Sequence, residues 1–118
     1  MKHGRIPSLL LLLVLPGLCF GAGDSDKATW TGVERIVAIG DIHGDHDKLF
    51  SILQATGLMN AKKRWTGGKT HLVQTGDVVD RGPESRKALD LLIKLEKDAK
   101  KAGGMVHSLM GNHEAMNV

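Results

Sequence analysis

The chain has 118 residues, 42% of them hydrophobic and 25% charged, which sets aside the disordered and fibrous classes and allows one small domain or part of a larger one. With two Trp, two Phe and no Tyr it offers no base-stacking surface, and its formal charge of +3 forms no basic stripe, so nucleic acid is not an expected partner. Lys2 and Arg5 supply two of the 16 basic residues, and without them the charge nearly balances.

The first element is a targeting segment. Met1 to Arg5 is positive, and an apolar run from Ile6 to Phe20 follows, broken by Pro16-Gly17. Small residues Gly21-Ala22-Gly23 and the acids Asp24 and Asp26 come next. This is the layout of a secretory signal peptide, read over residues 1–22. It predicts the secretory pathway, whether periplasmic, extracellular or endomembrane lumen. The run falls short of the ~20 residues that span a bilayer, so no stable membrane insertion is expected after cleavage. A lipid-modified Cys19 is disfavoured by the bulky Leu18 before it. Cys19 is the only cysteine, so the mature chain would have no thiol and no disulfide.

After a polar lead-in to Glu34, Arg35–Ile39 reads as a short β-branched strand stopped by Gly40. Asp45 and Asp47 sit at the start of a helix whose apolar face is Leu49, Ile52 and Leu53, with Gly57 ending it. Met59–Lys69 reads as a polar, solvated connector, and Thr70–Thr75 as the second strand. Pro83 is expected at the first position of a helix reaching about Lys101. Its apolar face is read as Ala88, Leu89, Leu92, Ile93 and Leu95, and Gly103-Gly104 stops it. Met105–Met110 is the third strand. The order β-α-β-α-β predicts an α/β fold with right-handed crossovers and a parallel sheet. Three strands would leave an open sheet edge, so the chain reads as the first half of something larger.

Each strand ends on a glycine followed by Asp or Asn. The three stretches are Gly40-Asp41-Ile42-His43-Gly44, Gly76-Asp77-Val78-Val79-Asp80-Arg81-Gly82 and Gly111-Asn112-His113-Glu114. In an open α/β sheet, ligands bind at the carboxyl ends of the strands. Carboxylate, imidazole and amide oxygen together suit divalent Mn, Fe or Zn. A carboxylate between two ligand groups can bridge two ions, and two ions ~3.5–4 Å apart clamp an in-line attack on phosphorus. The Arg81 guanidinium can hold two phosphate oxygens. Asp80 can orient His113 so that it protonates a leaving alkoxide. Any one of these stretches alone would be a turn with a solvated charge. Glu114 reads equally as a backbone anchor, a cap of the next helix or a bystander. Asp45 reads as a helix-start acid, His46 as solvated, and His71 and His107 as packed strand residues.

These three stretches resemble the signature blocks of the calcineurin-like metallophosphoesterases, within them the phosphoprotein phosphatase branch. The flanks Leu72 to Arg86 and Gly111 to Asn117 resemble the Shewanella-like protein phosphatases. The resemblance covers residues 35–118, as the N-terminal part of such a domain, and implies a β-sandwich flanked by helices. It implies two divalent metal ions, with Asp41 and His43 on the first, Asp77 bridging both and Asn112 on the second. Arg81 and Asn112 would contact the substrate phosphate, and His113, paired with Asp80, would be the catalytic acid. The implied reaction is hydrolysis of a phosphomonoester, on a phosphorylated protein or a small phosphoester, by in-line attack of a metal-bridging hydroxide. Alternatives are a nucleotide or dinucleoside-polyphosphate hydrolase of the same superfamily, or an inactive metal- or phosphate-binding module. The family draws further metal-binding histidines from its second half. The 118 residues by themselves are therefore expected to be incomplete, inactive and able to hold at most one metal tightly.

Overall fold

Three short strand-forming runs alternate with two amphipathic runs, and each strand can pair in parallel with the next only by a crossover connection. The computed structural model describes residues 28–118 and shows that result. The signal segment expected over residues 1–22 lies outside the described residues. The strands are β1 (Ile36–Ile39), β2 (His71–Gln74) and β3 (Met105–Ser108), and the helices are α1 (His46–Ala55), α2 (Ser85–Lys101) and α3 (Asn112–Met116). The sheet order is β1-β2-β3, all parallel, with Ile39 beside Gln74 and Gln74 beside Ser108. This register puts the three strand ends in one row, and the α/β expectation holds.

Alternation within the strands divides the sheet into two faces. Ile39, Leu72 and Val106 are buried with Leu49 and Leu53 of α1 and Leu92 and Leu95 of α2 in one apolar cluster. Residues of the opposite face, among them Ile36, Val73 and His107, line an open cavity of about 490 Å³ beside Trp30. Asp45 caps α1 by accepting the Lys48 N–H at 2.9 Å, as its place in the sequence predicts. Gly57 and Gly103, at φ +72 and +80, follow the ends of α1 and α2 in the left-handed conformation that glycine favours there.

The structure corrects several details. α2 begins at Ser85, not Pro83, because the Glu84 N–H bonds to the Gly44 carbonyl and Glu84 becomes the N-cap. Its buried face is Ala88, Leu91, Leu92, Leu95 and Ala99. Ile93 is 50% exposed, since it sits ~100° round the helix from Leu92 and away from that stripe. The connector is more ordered than its polarity suggests: Leu58 and Met59 are buried and Met59 pairs with Trp65 in an isolated bridge. His46 is buried beside Phe50 rather than solvated.

Two glycines separate backbone strain from collision. Gly57 and Gly76 both have positive φ, but a Cβ at Gly57 meets open space while one at Gly76 would land on the Gly111 backbone nitrogen. Gly57→Ala is expected to cost about 1–2 kcal/mol of left-handed strain, and Gly76→Ala distinctly more. Urea-denaturation midpoints measure the difference, and equal midpoints would refute the close approach of the second and third strand ends.

Candidate metal centre at the strand ends

The site is assembled by its backbone before its side chains. The Ile42 and His43 N–H groups both donate to the Asp77 carbonyl at 2.9 Å, and the Gly44 N–H donates to the Val78 carbonyl at 2.8 Å. Gln74, fully buried, donates from its amide to the Gly40 and Gly76 carbonyls and accepts the Gly76 N–H. The first two strand ends are therefore tied by backbone bonds that no side-chain rotation can undo, with the Gln74 amide as a further link. Four non-glycine residues here take the left-handed conformation: His43 at φ 49°, Asp77 at 55°, Asp80 at 66° and Arg81 at 66°. Such residues cost on the order of 1–3 kcal/mol each and persist only where the surroundings enforce them. All four are residues the sequence assigns to the site.

His43, Asp77 and His113, one from each strand end, bring ligand atoms within 4.8 Å of one another, close enough to hold a metal ion. The His43 Nδ1 lies 3.2 Å from the Val79 carbonyl, which can only accept, so Nδ1 carries the proton. The other ring nitrogen, Nε2, is 3.5 Å from the Asp41 carboxylate. In neutral His43 two acceptors then face each other, and a cation between them resolves the clash. The donor set thus fits a divalent ion of the kind imidazole and carboxylate share.

His113 is built the same way. Its Nδ1 donates to the Asp80 carboxylate at 3.0 Å, leaving Nε2 as the outward atom. Asn117 also donates to Asp80, at 2.8 Å. The hydrogen bonds from His113 and Asn117 hold the Asp80 carboxyl below its usual range. The His113 N–H donates to Asp77 Oδ1 at 3.0 Å, and the His113 ring stands edge-on to His43 with centroids 4.7 Å apart. The sequence reading assigns His113 to proton transfer alone, yet its ring lies within the metal-capable group.

Asp41, Arg81 and Asn112 are exposed. Arg81 lines an open cavity of about 450 Å³ shared with His43 and Asp45. Asn112 opens α3 at the end of the third strand. A second group, His46, Asp47 and Glu84, also brings ligand atoms within 4.8 Å, but Lys87 already sits on the Glu84 carboxylate.

Glu114 is the residue whose place the sequence leaves open. Its carboxylate accepts the N–H groups of Asp77 at 2.7 Å, Val78 at 2.7 Å, Val79 at 3.3 Å and Gly111 at 2.8 Å. Burial raises its pKa, but those four donors outweigh burial and lower it to about 2 from the usual 4.5. The only local signal was its third position after Gly111, a helix-capping offset. Gln74 is a further site residue that the sequence reading does not single out. Its signal was a polar residue on the same strand face as buried Leu72.

The family model of the calcineurin-like phosphoesterases matches residues 34–117. Shewanella-like protein phosphatase 2 of Arabidopsis thaliana is 51% identical over 85 residues, covering 72% of this chain and 22% of that protein. The symmetrical bis(5'-nucleosyl)-tetraphosphatase of Escherichia coli is 40% identical over 76 residues, covering 64% of this chain and 22% of that protein. The crystal structure of a cold-active protein-tyrosine phosphatase from the psychrophile Shewanella sp. aligns with a TM-score of 0.70 and 41% identity, covering 72% of this chain and 26% of that one. The chain thus spans about a quarter of the length of these relatives.

The Glu114 contacts make a pH-dependent contribution whose sign is set. A carboxyl lowered in the folded state stabilises fully above its unfolded value of 4.5, and loses that contribution as pH falls toward about 2. Wild type is therefore expected to exceed Glu114→Gln in urea midpoint near neutral pH and to lose most of that margin by about pH 2. A margin independent of pH would show that the carboxylate charge is not what the four N–H groups bind.

Proposed function

The chain belongs to the calcineurin-like phosphoesterase family, and from that premise we propose that its protein is a metal-dependent phosphomonoester hydrolase acting on phosphorylated serine, threonine or tyrosine in proteins. The observation that carries this reading is the meeting of His43, Asp77 and His113 from three strand ends, beside the His113–Asp80 pair. The identities to a plant Shewanella-like protein phosphatase and to a Shewanella protein-tyrosine phosphatase support the substrate class.

Asp41 and His43 would hold one divalent ion, Asp77 would touch two, and Asn112 would hold the second. Manganese, iron and zinc all suit these donors. When bound, the ions supply neutralisation of phosphate charge and a lowered pKa for water. The chain's own residues do the rest. Arg81, exposed at the mouth of its cavity, grips and orients the phosphate with its planar fork, and Asn112 adds an amide contact. Asp80 fixes the His113 ring through Nδ1, so that a proton held at Nε2 can pass to the leaving oxygen. The left-handed turns at His43 and Asp77 point ligands at one place without waiting for substrate, which is preorganisation in the electrostatic sense.

A second reading is hydrolysis of a dinucleoside polyphosphate, favoured by the identity to the Escherichia coli tetraphosphatase. Turnover of a phosphopeptide against a dinucleoside tetraphosphate separates the two. Hydrolysis of the second alone would replace the first reading. We further propose that residues 1–22 are a signal peptide, that the catalytic domain begins near residue 35 and that the mature protein works in a secretory compartment. An intact Met1 in the secreted protein, seen by mass spectrometry, would overturn cleavage. Among the described residues no helix is long and apolar enough to cross a membrane.

Three variants test the assigned roles in the complete protein. Asp77→Asn is expected to reduce metal content and turnover more than Asp41→Asn, because a bridging carboxylate serves both ions. Full two-metal stoichiometry in Asp77→Asn would remove the bridging role. His113→Ala is expected to lower turnover of alkyl phosphates by about 10²–10⁴-fold and of activated aryl phosphates by less, since an aryl leaving group needs no proton. Equal losses on the two substrates would contradict the acid role.

A further inference from the structure

None of the roles assigned above falls to Glu114, yet no other side chain of the site accepts as many backbone bonds. We propose that Glu114 is a positioning residue of the metal centre, holding Asp77 and Asn112 at the separation at which one ion touches both. The inference rests on the ligand assignment of the proposed function.

The contacts are divided between the two strand ends. Oε2 accepts both the Asp77 N–H at 2.7 Å and the Gly111 N–H at 2.8 Å, so a single oxygen joins the second strand end to the third. Oε1 accepts Val78 at 2.7 Å and Val79 at 3.3 Å. A helix cap would explain only the bond to Gly111, three residues back in sequence. The other three go to a turn 35 to 37 residues away. That turn begins with Asp77 in the left-handed conformation, which needs enforcement from outside. The convergent N–H groups form an anion nest, and Glu114 fills it with the chain's own carboxylate.

The link is closed from the other side too. The His113 N–H donates to Asp77 Oδ1 at 3.0 Å, and a Cβ on Gly111 would collide with the Asp77 carboxylate. Asp77, Gly111, His113 and Glu114 thus make a ring of contacts with Asn112 inside its sequence span. Asp41 and His43 are held at one remove, by N–H bonds from Ile42, His43 and Gly44 to the carbonyls of Asp77 and Val78, and Glu114 reaches them only through the N–H ends of those same two peptides. Loss of Glu114 should therefore fall harder on the ion between Asp77 and Asn112 than on the ion at Asp41 and His43. Glutamine keeps the shape but turns an amide NH₂ toward backbone donors, so two of the four N–H groups lose their acceptor.

The test is a Mn²⁺ titration of the complete protein by electron paramagnetic resonance, with circular dichroism on the same samples. Removing an outer-shell partner typically weakens metal binding by about 10–100-fold. Glu114→Gln is expected to raise one of two Mn²⁺ dissociation constants by that range and the other by clearly less. Glu114→Asp, charged but one methylene short, is expected to fall between it and wild type. It also carries the test if Glu114→Gln does not fold. A purely structural role would lower the melting temperature and leave the Mn²⁺ constants of the folded protein unchanged. That result, in either folded variant, overturns the proposal. The metal readout needs no turnover, so a wild type that binds Mn²⁺ but hydrolyses no phosphoester overturns the phosphatase reading alone.

Discussion

Four backbone N–H groups from two strand ends meet one carboxylate at Glu114, and the geometry of the site hangs on that convergence. The turn after β2 contains left-handed residues at Asp77, Asp80 and Arg81, each in a conformation an isolated chain avoids. Such a turn has no strand ladder to satisfy its amides. An ionised acceptor satisfies several at once and does so with stronger bonds than a neutral one would. The strain in the turn after β2 and the anchoring by Glu114 are therefore two sides of one constraint. A chain that aims several short side chains at one point must bend sharply, and something must hold the bend.

The same economy appears in the polar residues around it. Gln74 sits fully buried where an apolar residue would be the default, and each of its amide contacts reaches the glycine-bounded strand ends. Asp80 serves His113 and Asn117 together, so the end of the short α3 is tied back to the β2 turn. Buried or half-buried polar groups cost stability unless satisfied. Here their partners are groups that the site's own turns would otherwise leave unpaired.

The two faces of the sheet are chemically different. One is covered by α1 and α2 with fully buried leucines. The other carries Ile36, Val73, His71 and His107, with the two histidine rings in hydrogen-bond contact at 3.0 Å beside Trp30. Burial, and then the neighbouring His71, lower the His107 pKa, so a charge on both rings is disfavoured. The candidate metal centre lies on neither face but along the edge where the strands end, so the helix-covered face stays largely apolar while the rim is polar.

By itself the sequence determined the alternation of strands and helices, the parallel topology and the three polar strand ends with Asp41, His43, Asp77, Asp80, Arg81, Asn112 and His113. Those features are local. Period-two and period-3.6 patterns, glycines at turns and acids at helix starts are written within a few consecutive residues. Tertiary structure alone decided that α2 starts at Ser85, that Ile93 faces out while Leu91 faces in, and that Gln74 and Glu114 belong to the site. The start of α2 and the places of Gln74 and Glu114 depend on partners distant in sequence. Glu84 gives its N–H to Gly44, Gln74 reaches Gly40 across 34 positions, and Glu114 reaches Asp77 across 37. A carboxylate three residues past a glycine looks the same in sequence whether it caps one small helix or holds two strand ends together. Only the pairing of β2 with β3 brings the Asp77 turn within hydrogen-bond distance and tells the two apart.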